Sequence, residues 1–236
     1  MARQLQNLMP IQDAKRSARR RTRGIARGPG RPETVEQRHE RIVRLAAPLF
    51  LKKGYDNVSI DEIIGVVGGS KATIYAWFGG KEGLFEAVVR QECRDVTMAI
   101  HVDATGSLEA QLTEIGQSFL AMVLSPPILE FHRLMVSIGR TFPEIGRLFY
   151  ETGPASAYQI VATWIAKQQK AGHIIEEDPY RLAVLFLDML IGEHQLSWLT
   201  AVPRAARRDK VNETVQIAVK VFLRGCATPV EAGQSM

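Results

Sequence analysis

Two short, capped helical segments joined by a glycine turn constrain the fold of this chain more than any other feature. Ser59-Ile60-Asp61-Glu62 is a capping box that starts a short helix, and Gly68-Gly69 ends it. Ser70 then caps a second short helix, predicted from Lys71 to about Phe78. This is the layout of a helix-turn-helix, whose second helix enters the major groove of DNA. An ordinary helical corner has the same layout, so the pattern alone leaves both interpretations open.

From Thr34 onwards the rest of the chain also consists of segments with helical spacing, and no segment has the alternating pattern of a β-strand. Thr34-Val35-Glu36-Gln37 is another capping box, which predicts a helix that continues to Gly54. Pro48 lies inside that helix and predicts a kink. A longer helix is predicted from Lys81. The pattern therefore predicts an all-α fold. Three prolines fit the first turns of later helices: Pro127, Pro154 and Pro179.

The positive charge of the chain is concentrated at its N-terminus. The whole chain of 236 residues has a formal net charge of +5. Residues 1–33 hold nine basic and two acidic side chains, so the other residues together carry −2. The first 33 residues have too few apolar side chains to offset the entropy of ordering, and we expect a flexible basic arm there.

Composition and motifs exclude several classes of protein. Two separate cysteines, Cys93 and Cys226, are too few for a disulfide framework, and the five histidines show no metal-ligand spacing. We therefore expect no metal and no cofactor. No apolar run approaches the roughly 18 residues of a membrane span, and no signal peptide is recognisable, so we expect a cytoplasmic protein without membrane contact. GxSxG, Walker and HExxH motifs are all missing from the sequence, which predicts that the chain is not an enzyme.

The helix-turn-helix region carries a family resemblance through a run of about 50 residues that includes Ala46, Phe50, Gly54-Tyr55, Ser59-Ile60, Ile63, Gly68, Ser70-Lys71, Thr73-Ile74-Tyr75, Phe78, Lys81-Glu82 and Leu84-Phe85. This run resembles the DNA-binding domain of TetR-family transcriptional regulators. The resemblance implies a three-helix DNA-binding domain, here predicted over residues 34–82, with a dimer and an effector pocket in the following domain. It also implies recognition residues on the second short helix and phosphate contacts at Ser59, Tyr75 and Lys81. The predicted DNA-binding residues are Arg31, Ser59, Ser70, Lys71, Thr73, Tyr75, Trp77 and Lys81.

Three positions depart from the family pattern. Ile64 stands where alanine is usual, Gly69 replaces an apolar turn residue, and Ala76 stands where a larger or polar residue is common. We expect Gly69 to remove a packing contact beneath the recognition helix, and Ala76 to remove one possible contact with DNA.

The basic arm is predicted to supply DNA affinity. Residues 40–90 hold seven basic and six acidic side chains, so the predicted DNA-binding unit is nearly neutral. Phosphate neutralisation supplies much of the affinity of proteins for DNA, and we expect the arm to provide it. Gly30-Arg31-Pro32 resembles the hooks that place an arginine in the minor groove. The alternative is a solvated leader whose charge only aids solubility.

Residues 83–226 are predicted to form a larger helical domain for effector binding and dimerisation, followed by a tail at 227–236. Phe119-Leu120-Ala121, Phe142-Pro143-Glu144 and the segment 149–154 resemble one ligand-binding subgroup of the same family. In this family, helices such as those at about 179–199 and 208–225 form a four-helix bundle between two subunits. Large side chains on the predicted helices are candidates to line the pocket, although each also fits an ordinary core position: Met122, Phe131, His132, Met135, Tyr158, Trp164, Phe186, Met189 and His194.

Taken together, the residues and the resemblance predict a ligand-responsive DNA-binding transcriptional regulator. We expect a repressor that binds a pseudo-palindromic operator as a homodimer and is released by a small, largely apolar effector. Two alternatives remain open. An enzyme would need a cofactor or a perturbed titratable cluster in the C-terminal domain. An architectural DNA-binding protein without an effector would have a solidly packed C-terminal domain.

Overall fold

The structure, a computed structural model, describes residues 33–100, 102, 105–200 and 208–228. This part of the chain contains ten α-helices and no β-strand, which confirms the all-α prediction. An isolated bridge joins Ile174 to Ala227. The helices are α1 (Val35–Lys53), α2 (Ile60–Val67), α3 (Lys71–Phe78), α4 (Lys81–Thr97), α5 (Leu108–Val123), α6 (Pro126–Ile138), α7 (Pro143–Thr152), α8 (Pro154–Lys170), α9 (Pro179–Leu199) and α10 (Arg208–Cys226).

The chain divides into two units, Met1–Thr34 and Val35–Met236. The predicted basic arm belongs to the first unit, and Arg31 lies outside the described residues. Its predicted contact with the minor groove therefore stays a prediction. The fold described below is that of the second unit.

Local signals place the helix ends where the sequence predicts them. Ser59 Oγ accepts a hydrogen bond of 3.2 Å from the N–H of Glu62 at the start of α2. The first helix begins directly after Thr34 and continues through the exposed Pro48 to Lys53. Gly54 then has a φ of +77°, a left-handed conformation in which glycine commonly ends a helix.

Buried apolar side chains form two cores. The N-terminal core joins α1–α4 to parts of α6 and α7, and it contains the fully buried rings of Phe50 and Phe85, whose centroids lie 4.8 Å apart. Complete burial of such a side chain contributes about 1.5–3 kcal/mol. This core continues across the predicted domain boundary at residues 82 and 83, because α4 carries Leu84, Phe85 and Val88 into it. The C-terminal core is built from α5, α8, α9 and α10.

No single helix among the described residues is long and apolar enough to span a membrane. Helices α5 and α6 reach the required length and hydropathy only as a pair, and the two are bent by 67° at their junction. Both helices contribute buried residues to the cores.

Candidate functional site

A two-glycine turn sets the direction of α3 relative to α2. Gly68 has φ +73° and ψ 170°, and Gly69 has φ +99°. Residues with a Cβ atom rarely adopt these conformations, so the turn requires glycine. The departure of Gly69 from the family pattern therefore has a conformational reason in addition to the expected loss of a packing contact.

One face of α3 packs against the N-terminal core, and the opposite face is exposed to solvent. Ile74 is only 1% exposed and packs into the N-terminal core. Lys71 and Tyr75 stand one helical turn apart and are both exposed, Tyr75 by 57%. At the start of the helix, Ser70 Oγ accepts a hydrogen bond of 3.2 Å from the N–H of Thr73 and lies 3.2 Å from its Oγ1. The structure thus places Ser70, Lys71, Thr73 and Tyr75 at the accessible part of α3.

Lys71 is paired with a carboxylate of α2. Its Nζ lies 2.8 Å from Oδ1 of Asp61, and both side chains are largely exposed. The hydrogen bond to Asp61, together with the attraction of its charge, raises the pKa of Lys71 above the ordinary value for lysine. The lysine must therefore exchange this partner for DNA if it is to contact a base edge or a phosphate.

Trp77 and Lys81, both predicted DNA contacts, also hold neighbouring elements together. The guanidinium carbon of Arg38 lies 5.5 Å from the centre of the Trp77 ring, and the His39 ring lies 6.3 Å away, so the indole is partly covered by α1. Lys81 Nζ donates a hydrogen bond of 3.0 Å to the Tyr55 carbonyl and lies 4.3 Å from the centre of the Tyr55 ring. Contacts of these two residues with DNA stay predictions.

A cavity of about 230 Å³ lies among helices α4 to α9. Four of the residues predicted for an effector pocket line it: Met122, Phe131, His132 and Tyr158. The other lining residues are Cys93, Val96, Phe119, Val123, Ile128, Phe149, Tyr150, Gly153, Pro154, Ala157, Ile191 and Gln195.

The polar groups of the cavity are few and uncharged. Nδ1 of His132 is buried and has no hydrogen-bond partner among the described residues, and burial lowers the pKa of this imidazole, which favours its neutral form. Tyr158 donates a hydrogen bond of 3.0 Å to Oδ1 of Asp188, and burial followed by this bond raises the pKa of the phenol. Burial raises the pKa of the Cys93 thiol to about 11, so it stays protonated near neutral pH.

The five other candidates for the pocket do not line the cavity. Met135 is buried in the N-terminal core. Trp164 donates a hydrogen bond of 3.1 Å from Nε1 to Gln111 in the C-terminal half, and Phe186 is fully buried. Met189 is 40% exposed on α9, and Nε2 of His194 lies 3.2 Å from Oγ1 of Thr214, which joins α9 to α10. These five side chains fill the cores, join helices or face solvent in this structure.

Sequence reasoning missed the contribution of α4 and α7 to the cavity. Cys93 and Val96 continue the apolar stripe of Phe85 and Val89 along α4, so helical spacing was a signal that could have included them. Phe149 and Tyr150 lie in the last turn of α7, just before the Gly153-Pro154 break. Nothing local to that turn indicates a cavity.

Exposed large apolar side chains lie on both α9 and α10. Leu185, Met189 and Leu196 on α9 are 61%, 40% and 64% exposed. Ile217 and Val221, one turn apart on α10, are 56% and 54% exposed. We call these five side chains the α9–α10 apolar face.

Metal-ligating groups do not converge anywhere in the described part of the chain, where no cluster of three or more His, Cys, Asp or Glu side chains could hold an ion. The two cysteines described there are free thiols.

Comparison with known proteins covers both halves of the chain. Residues 42–88 match the family described as bacterial regulatory proteins, tetR family, and residues 110–227 match the C-terminal domain of AefR-like transcriptional repressors. The HTH-type transcriptional regulator RutR of Escherichia coli K12 is 25% identical over an alignment of 228 positions. The alignment covers 86% of this chain and 98% of RutR.

Two solved structures show the same arrangement of helices. A TetR-family transcriptional regulator from Mesorhizobium loti is 25% identical with a TM-score of 0.77, over 82% of this chain and 98% of that one. The flavonoid-responsive regulator FrrA is 26% identical with a TM-score of 0.73, over 83% of this chain and 100% of that one.

Proposed function

Because the chain belongs to the TetR family of DNA-binding transcriptional regulators, we propose that it is a repressor that a small, largely apolar effector releases from a pseudo-palindromic operator. Family membership confirms the prediction that the chain is a regulator and not an enzyme. The observation that carries the proposal is the path of α4. This helix begins at Lys81, three residues after the recognition helix, and its later turns line the cavity with Cys93 and Val96.

The accessible part of α3 supports its role as the recognition helix. Ser70, Lys71, Thr73 and Tyr75 offer hydroxyl and ammonium groups that can contact base edges and phosphates. Ile74 packs into the N-terminal core on the opposite face of α3, and this packing fixes the position of the exposed side chains. A regulator of this kind acts on the chromosome, and we place it in the cytoplasm.

The α9–α10 apolar face supports dimerisation. Five large apolar side chains on two adjacent helices would be removed from water if two copies packed through this face, as the family resemblance implies. A two-fold dimer would present two recognition helices to two half-sites, which explains why we expect a pseudo-palindromic operator.

The cavity supports regulation by a small molecule. An architectural DNA-binding protein without an effector is expected to have a solidly packed C-terminal domain, whereas this domain contains a cavity of about 230 Å³. One similar protein is described as flavonoid-responsive, and the C-terminal match is to a repressor domain. The effector would act through its different affinities for two spacings of the DNA-binding domains, with α4 as the element shared by both sites.

Binding to the DNA that flanks the protein's own gene is the direct test. We expect a mobility-shift assay to show specific binding that resists moderate salt, and the Thr73→Ala variant to bind about tenfold more weakly or worse because a contact to a base edge is lost. Thr163→Ala is the matched control, since Thr163 is exposed on α8, far along the chain from the recognition helix. Absence of specific binding near the gene, or equal losses in the two variants, would count against the proposal.

Deletion of residues 1–30 tests the proposed contribution of the arm. If the arm neutralises phosphates, the truncated protein binds its operator more weakly, and its affinity depends less steeply on salt. Unchanged affinity and an unchanged salt dependence would instead support a solvated leader.

A further inference from the structure

In the described part of the chain, the lining of the cavity contains no charged side chain. Among the described residues that line it, none carries a carboxylate, an ammonium or a guanidinium group. A charged ligand would lose its hydration on entering and find no opposite charge to replace it, which carries a large desolvation penalty. The ligand that fits this lining is therefore uncharged.

The size and walls of the cavity favour aromatic rings. An engineered apolar cavity of about 150 Å³ holds benzene, so about 230 Å³ has room for one ring or two fused rings. Rigid rings already form part of the wall: Phe131 and His132 stand edge-on to Phe149, with centroids 5.5 Å and 5.3 Å away. A planar ligand can add further edge-to-face or offset contacts to this set.

One fully buried polar atom of a residue that lines the cavity lacks a partner among the described residues. Nδ1 of His132 is buried without a hydrogen bond in the part of the chain that the structure describes, whereas the hydroxyl of Tyr158 is occupied by Asp188. An unpaired buried nitrogen carries an energetic penalty that a ligand could remove. A neutral imidazole nitrogen either donates or accepts, depending on the tautomer, and a hydroxyl group can do both.

We propose that the cavity binds an uncharged aromatic molecule of one or two rings that bears a hydroxyl group, and that this hydroxyl pairs with Nδ1 of His132. The proposal rests on the proposed function and deepens it by naming the chemical class of the effector. His132 is then the residue that distinguishes a hydroxylated ring from a plain hydrocarbon ring of the same shape.

Calorimetric titration of the full-length protein with matched probes tests the ligand class. We expect β-naphthol to bind about tenfold more tightly than naphthalene, because only β-naphthol satisfies the buried nitrogen. Its saturated analogue decahydronaphthol should bind more weakly than β-naphthol because it lacks the planar ring. The charged probe β-naphthoate should not bind measurably.

Substitution of the histidine tests the assignment of the residue. His132→Phe keeps a ring beside Phe149 but removes the nitrogen, so the preference for β-naphthol over naphthalene should fall from about tenfold to about onefold. His173→Phe is the matched control, because His173 is exposed in the loop after α8. It should keep the wild-type preference.

Several results would overturn the proposal. They are equal affinities of the wild type for β-naphthol and naphthalene, measurable binding of β-naphthoate, no binding of any probe, or an undiminished preference for β-naphthol in His132→Phe. If that variant does not fold, the wild-type probe series still decides the ligand class. The titrations contain no DNA, so failure to find an operator does not affect them. Conversely, a probe that binds as expected but does not release the operator refutes the regulatory function and leaves the ligand assignment intact.

Discussion

Replacing glycine by alanine at two positions in and beside α2 isolates the backbone requirement of the recognition turn. A methyl group added at Gly65 or at Gly68 would have no atom from another described part of the protein within 4 Å, so it meets open space at both sites. The two sites differ in backbone conformation, because Gly65 lies within α2 and Gly68 has φ +73° and ψ 170°. Alanine in the second conformation costs about 1–3 kcal/mol, whereas alanine in a helix is favoured over glycine by up to about 1 kcal/mol.

The expected effects of the two variants on stability therefore have opposite signs. In a chain of this length, each kcal/mol changes the Tm by about 2–4 °C. Gly68→Ala should lower the Tm by roughly 2–12 °C, and Gly65→Ala should raise it by up to about 4 °C. Thermal unfolding followed by circular dichroism measures both, at one protein concentration because dimerisation changes the apparent stability.

The result that would refute this reasoning is an unchanged or higher Tm in Gly68→Ala. In that case the turn would not need glycine for the positive φ at position 68, and the two-glycine turn would not be what sets the direction of α3. A decrease of similar size in both variants would also contradict the argument, since it would show that any added methyl group in α2 or its turn is harmful.

Three further predictions concern the operator contact, the dimer and the buried histidine. Asp61→Asn should tighten operator binding by up to about fivefold per subunit, because it releases Lys71 and removes a negative charge beside the DNA. Fluorescence anisotropy measures the affinity, and an equal gain in Asp56→Asn would contradict the role of the ion pair. Leu185→Arg should shift the protein towards a monomer in sedimentation experiments. Val136→Arg, which changes a residue of similar exposure on α6, should leave the dimer intact. A stable dimer of Leu185→Arg would contradict the α9–α10 apolar face as the interface. Burial lowers the pKa of His132 in the folded protein. As the pH falls below about 6.5, the unfolded state therefore binds more protons than the folded state. The contribution of His132 to the free energy of unfolding should then decrease by at most about 1.4 kcal/mol per pH unit. Urea unfolding at several pH values measures this loss, which His132→Gln should reduce; identical pH dependence of the two proteins would show that His132 contributes none of it.

The DNA-binding half illustrates how far local sequence signals reach. The serine caps at Ser59 and Ser70 and the glycine that ends α2 are found where they were predicted, because each depends on residues only a few positions apart. The partners of the exposed side chains did not follow from the sequence. Lys71 pairs with Asp61 and Lys81 with the Tyr55 carbonyl across 10 and 26 positions of the chain, and only the packing of the helices brings these groups together.

The C-terminal half was less predictable for the same reason. Large apolar residues at helical spacing give the same sequence pattern when they fill a core as when they line a cavity. Met122 lines the cavity, Phe131 lines it from the edge of the N-terminal core, and Met135 and Phe186 are buried in the cores without lining it. The difference depends on the small gaps that remain when six helices from distant parts of the chain pack together.

By itself, the sequence determined that this chain is all-α, that a glycine turn joins two capped helices, and that the positive charge lies in the first 33 residues. These properties come from backbone preference, capping and composition, which act within a few residues. Only the tertiary structure decided which side chains surround the cavity and that Nδ1 of His132 is left there without a partner. Burial and hydrogen bonding of a side chain depend on every helix packed around it, and no local segment contains that information.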